Sequence, residues 1–204
     1  MKNSYDNCVT MKIAILGWGS LIWDSRNLEI DKTIGQNGWY PDGPMLPIEF
    51  FRISSDGRLT LVIDPDAEKL QTLYSISQIE KLDHAILNLA VREGCGRNKI
   101  GCYSKDLKEL LPYDFQFGQS IKSWIDDKQN IDAVIWTNLS VKLSYKNGGG
   151  IEVNVDKNKL TTYLKKISSN KQAMAEEYIR KAPISIFTPI RSAIEKELGW
   201  TIIV

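Results

Sequence analysis

The segment IEFFRISSDGRLTLVID, Ile48 to Asp64, constrains this chain more than any other. Two apolar runs rich in aromatic and β-branched residues flank Ser54 to Gly57. Asp56 and Gly57 form a pair that tolerates positive φ, so the stretch reads as an antiparallel hairpin. Pro65 and Asp66 then turn the chain into a third run, LQTLYSI. Three strands in meander order point to an antiparallel sheet and away from βαβ units.

The rest of the chain supplies helices to cover such a sheet. Ser77 is placed to cap a helix, with Glu80 completing a capping box, and Ile79, Leu82, Ala85, Ile86, Leu89 and Ala90 recur at helical spacing. This helix should stop near Arg92 and Glu93, because Gly94 and Gly96 follow. Lys12 to Leu16 and DAVIWTNLS read as further strands, and Lys157–Ile167 and Lys171–Arg180 as helices. A last helix follows Thr188 and Pro189, carries Ile190, Ala193, Ile194 and Leu198, and ends at Gly199. Asp31 to Pro47 is a long loop rich in glycine and proline, Asn147 to Gly150 a flexible tip, and Met1 to Thr10 a loose arm. The expected organisation is that arm followed by a single domain over residues 11–204.

Charge and cysteine content narrow the function classes. The 204 residues carry 26 basic and 25 acidic side chains, a formal charge of +1, which removes the long-range field that nucleic acid or an anionic membrane would require. Neither is expected as a partner. Cys8, Cys95 and Cys102 cannot all pair, and no signal peptide or apolar run of spanning length is evident. A reducing, cytoplasmic location follows as the expectation. Cys95 and Cys102 are too far apart for a CxxC clip and His84 is the sole histidine, so no metal is expected.

A second feature bears on function. In KIAILGWGSLIWD an apolar run breaks at Gly17 and Gly19 and resumes at once. A dinucleotide fingerprint needs a third glycine where Ile22 stands and a second parallel strand; a phosphate loop needs Gly-Lys-Ser/Thr, which is missing. Bare N–H groups of Gly19, Ser20 and Leu21 can instead converge on a carboxylate, with the Ser20 hydroxyl adding a donor. The competing reading is a tight bend that binds nothing. Further on, AVREGCGRNKIGCY sets Glu93 on the last turn of an amphipathic helix. The negative end of the helix dipole disfavours the carboxylate and raises its pKa, which suits proton transfer. Here the competing reading is a solvated glutamate paired to Arg97.

GWGSLIWD resembles the glycine loop that opens the γ-glutamyl cyclotransferases, including the glutathione-specific ChaC-type branch. Arg92-Glu93-Gly94, followed by Gly101 and Tyr103, is similar to that family's helix ending in a catalytic glutamate and leading to a strand tyrosine. The order of loop, hairpin, strand, helix and glutamate also agrees, over roughly Lys12 to Ala182. The resemblance implies an α+β fold: a small mixed, strongly curved sheet or barrel surrounded by helices. It implies cyclisation of a γ-glutamyl amine or peptide to 5-oxoproline with release of the amine, and no cofactor. Trp18, Gly19, Ser20, Leu21 and Ile22 would hold the glutamyl head group, Glu93 would shuttle the proton, and Tyr103 would line the pocket or bond Glu93. Trp18 stands where the family has tyrosine, leaving an indole N–H for a phenol. Trp18 and Trp23 are expected at the pocket mouth, with Trp39 folding over it. Glu49, on one strand face with Phe51 and Ile53, is the second choice of base. The alternative function is a catalytically silent member of the fold that binds an amino-acid-like metabolite or a protein partner.

Overall fold

The structure is a computed structural model and describes residues 10–146 and 149–203. The expected N-terminal arm, Thr10 apart, and half of the expected loop tip lie outside these residues. In chain order the elements are β1 (Ile13–Gly17), β2 (Met45–Ile53), β3 (Leu59–Ile63), β4 (Lys69–Gln71), β5 (Leu73–Ile76), α1 (Leu82–Glu93), β6 (Ile100–Ser104), β7 (Glu109–Leu111), α2 (Gly118–Asp126), β8 (Ala133–Thr137), β9 (Ser144–Lys146), β10 (Glu152–Asn154), α3 (Leu160–Lys166), α4 (Ser169–Lys181) and α5 (Pro189–Leu198). They divide into two compact units. The first holds the described residues up to Leu16, Arg26–Tyr40 and Tyr74–Thr137; the second holds Gly17–Ser25, Pro41–Leu73 and the chain from Asn138.

The first unit is built on a five-stranded sheet of order β5-β1-β8-β6-β7. β1 and β8 run parallel, with Ile13 opposite Ala133 and Ile15 opposite Ile135, while β6 is antiparallel to β8 and to β7. Ile13, Ala14, Ile15 and Leu16 are all buried, as are Ala133 to Trp136. Such continuous apolar runs are what central strands covered on both faces require. α1 packs on β8 and β6 through Ala85, Ile86, Leu89 and Ala90. It ends as the sequence indicates, with Gly94 at φ 62° donating its N–H to the last turn. Its start differs. The helix begins at Leu82 without a side-chain cap, because Ser77 to Glu80 is engaged elsewhere. Ser77 donates its N–H to the Ile13 carbonyl, the Glu80 carbonyl accepts from Met11, and Ser77 Oγ accepts from the Ile79 N–H.

In the second unit β2 is the centre of a three-stranded sheet, β3-β2-β4. The β2–β3 hairpin forms as expected, Gly57 taking φ 89° and Asp56 accepting from Arg58 Nε at 2.9 Å. The meander does not. Lys69–Gln71 returns to the far edge of β2, with Met45 opposite Gln71, so the order is not sequential. The run LQTLYSI breaks at Thr72, whose hydroxyl donates to the Pro44 carbonyl at 2.6 Å and whose carbonyl accepts from Gly43. Leu73–Ile76 then joins the five-stranded sheet. β9 and β10 form a separate antiparallel hairpin.

Three helices complete the second unit: α4 packs on β3, α5 on β2, and α3 on both α4 and α5. α5 starts at Pro189 with the Thr188 hydroxyl accepting from the Arg191 N–H, and ends at Gly199 in the left-handed region. Arg191 is wholly buried and donates to the carbonyls of Ala182, Pro183 and Ile186.

The architecture is therefore mixed α+β with five α-helices among the described residues. The resemblance implied a curved sheet or a barrel; the sheets are open, and no closed barrel forms among those residues. No helix among them is long and apolar enough to cross a membrane.

Candidate active site

The glycine loop, Gly17 to Asp24, belongs to the second unit. It winds into two successive turns, with the Ile22 N–H donating to the Gly19 carbonyl at 3.1 Å and the Asp24 N–H to the Ser20 carbonyl at 2.9 Å. Trp18 and Leu21 are buried; Ser20 and Ile22 are half-buried. The N–H of Ile22 is thus spent inside the turn.

Gly19 is a glycine because of a close approach: a Cβ there would lie 2.5 Å from the Tyr178 hydroxyl. Tyr178, on α4, is held by an edge contact to Trp23 (ring centroids 5.2 Å apart), by Phe50, and by the Arg58 guanidinium 5.8 Å from its ring centre. Its oxygen accepts from the Leu61 N–H at 3.4 Å. The cradle expected to be bare therefore carries a phenol hydroxyl at its central residue. Sequence reasoning did not single out Tyr178; its only signal is the apolar spacing Ala175, Tyr178, Ile179 on α4, which marks a buried face and nothing more. Trp23 is half-buried against Tyr178.

Glu93 and Tyr103 belong to the first unit. Glu93 is the last residue of α1, and its side chain is 17% exposed. Its Oε1 accepts from Arg92 Nη1 at 2.8 Å, and the Arg92 side chain is itself buried. Arg97, the expected partner, pairs instead with Asp83 at 2.8 Å. Burial pushes the Glu93 carboxyl above its ordinary value, against the opposing pull of Arg92 and Arg26. Tyr103 is buried in β6, between Leu110 and Val134, with the Lys122 ammonium 5.4 Å from its ring centre. Gly101 is required nearby because the Trp136 indole lies directly across it. Trp39 is buried in this unit, its carbonyl against Gly35, rather than forming a flap.

Glu49, in the second unit, faces inward as alternation implies and is 3% exposed. Its carboxylate accepts from the Phe50 N–H at 2.7 Å, the Ile190 N–H at 3.3 Å and the Thr188 hydroxyl. These donors belong largely to the start of α5, so Glu49 anchors that helix through its N-terminal dipole. Burial still raises its pKa, with Asp64 adding to the effect. No group of three or more His, Cys, Asp or Glu side chains with metal-binding geometry occurs among the described residues.

No family model matches this chain, and no curated protein or solved structure does so either.

Proposed function

We propose that the protein cyclises a small γ-glutamyl amine or peptide to 5-oxoproline without a cofactor, with Glu93 as general acid and base. The observation that carries this reading is a carboxyl on the final turn of α1, largely withdrawn from water and shifted toward its protonated form.

The chemistry is intramolecular. The neutral α-amine attacks the γ-carbonyl, a C–N bond closes the five-membered ring, and the original amide C–N bond breaks. Glu93 takes the proton released by the attacking nitrogen and delivers it to the leaving nitrogen, so the enzyme ends as it began. Holding amine and carbonyl in a near-attack geometry can supply up to about 7–11 kcal/mol of the barrier.

The test is release of 5-oxoproline from glutathione, γ-glutamyl-alanine and γ-glutamyl-lysine. E93Q should lower kcat by about 10²–10⁴-fold, the usual worth of a positioned acid–base. Full activity in E93Q with loss in E49Q would transfer the role to Glu49. The second reading, a silent fold that binds an amino-acid-like metabolite, is favoured by the Arg92–Glu93 ion pair. It predicts no release from any of the three compounds, together with saturable binding.

A further inference from the structure

The second unit contains a cavity of about 430 Å³ that neither the glycine loop nor Glu93 lines. It is lined by the β9–β10 hairpin, by α3 and by the junction of α3 with α4. Tyr145, Val153, Tyr163 and Ile167 form a largely apolar wall. The rings of Tyr145 and Tyr163 meet with centroids 5.3 Å apart at 53°. Tyr163 is fixed in place: its hydroxyl donates to the Gly57 carbonyl at 2.7 Å, and burial holds its pKa up at about 12, so it brings no charge.

Charge enters at the rim. Lys159, Lys166 and Lys171 border the cavity, and among the described residues Asp156 is the only acidic one that does. Asp156 is already engaged, accepting from the Asn158 N–H at 2.9 Å and lying 4.0 Å from Lys159. Lys166 and Lys171 make no ion pair with any described residue. They border the cavity on either side of Ser168 in the chain, and the stem of Lys171 packs against Gly57. Two ammonium groups without an ion pair to any described residue thus border a largely apolar cavity. The volume falls in the range of small-molecule pockets, in which apolar walls supply contact and a few polar groups fix orientation.

We infer that this cavity binds a small organic anion with a flat apolar body, an aryl carboxylate or aryl phosphate, whose ring lies along Tyr145 and Tyr163 and whose anionic group sits between Lys166 and Lys171. Lys159, shared with Asp156, contributes less.

The proposal is tested by titrating the full chain, observed through its amide resonances, with 1-naphthyl phosphate, 2-naphthoate, the neutral 2-naphthalenemethanol and inorganic phosphate. Both aryl anions should shift Val153 to Asp156 and Thr162 to Ser168 with Kd at or below about 1 mM, and the neutral alcohol should bind at least about tenfold more weakly. K166E/K171E, a change at side chains without ion-pair partners, should weaken both anions by about tenfold or more. T162W, which fills the slot and leaves both lysines, should abolish binding of the aryl anions. Equal affinity for the alcohol and the anions overturns the proposal, as does inorganic phosphate matching naphthyl phosphate, shifts that persist in both variants, or no shift at all.

Discussion

The contact between Gly19 and Tyr178 makes a quantitative prediction about G19A. Gly19 is not in the left-handed region, so alanine meets no backbone strain there, and restriction of the unfolded chain favours it by about 0.4–1 kcal/mol. Against this, the new Cβ would lie 2.5 Å from the Tyr178 hydroxyl, where ordinary contact begins near 3.4 Å. The ring must retreat by roughly 0.9 Å, and it cannot do so freely, because Trp23, Phe50 and Arg58 surround it. Overpacking of this kind costs roughly 1–3 kcal/mol, and loss of the bond from Leu61 adds about 1 kcal/mol. The net expectation is a loss of about 2 kcal/mol. Y178F removes the obstructing oxygen and leaves Cζ as the nearest atom, at 3.5 Å, which is ordinary contact. In that background G19A should cost less than about 0.5 kcal/mol, a coupling of about 1.5 kcal/mol between the two sites. Urea unfolding of the four proteins, followed by tryptophan fluorescence, measures the cycle. An equal cost of G19A in both backgrounds refutes the claim that the hydroxyl is what requires glycine.

Three further outcomes are expected. Glu49 has a raised folded-state pKa, so below its ordinary value of 4.5 both states are protonated and it contributes no slope; as pH rises the unfolded chain ionises first, the folded state holds the extra proton, and stability falls until the folded pKa is passed. The difference between wild type and E49Q, from unfolding curves taken from pH 4 upward, should show this decline, and a flat difference removes the burial argument. R191M strips donors from the carbonyls of Ala182, Pro183 and Ile186 and should cost about 3–5 kcal/mol, with early loss of amide protection in α5. T188A, which removes the α5 N-cap and a donor to Glu49, should cost about 1–2 kcal/mol by the same measurements.

Local chemistry was legible in the sequence and long-range pairing was not. The hairpin follows from Asp56-Gly57 between two apolar runs, and α5 from Thr188-Pro189 at one end and Gly199 at the other. The sequence has no local mark of where LQTLYSI divides, because Thr72 suits a strand and its break is made by Pro44 and Gly43, nearly thirty residues earlier. Ser77 and Glu80 satisfy a capping-box pattern, yet β1 recruits that stretch first. α2 has a weak signature in the sequence, Ile121 and Ile125, both fully buried and one turn apart. At the candidate site, the helix-end position of Glu93 was readable and its partner was not: Arg92, adjacent in sequence, outcompetes Arg97. Glu49 was readable as inward-facing, but its partners at Thr188 and Ile190 lie about 140 residues away.

The pairing of β1 with β8 has a consequence for synthesis. The two strands are brought together across 120 residues, as the bond from the Lys12 N–H to Asp132 shows. At about 5–20 residues per second, the apolar strand IAILG leaves the ribosome roughly 6–24 s before its parallel neighbour exists. Until then one edge of β1 is an open template for stray partners, and the nascent protein is most vulnerable to aggregation during that interval.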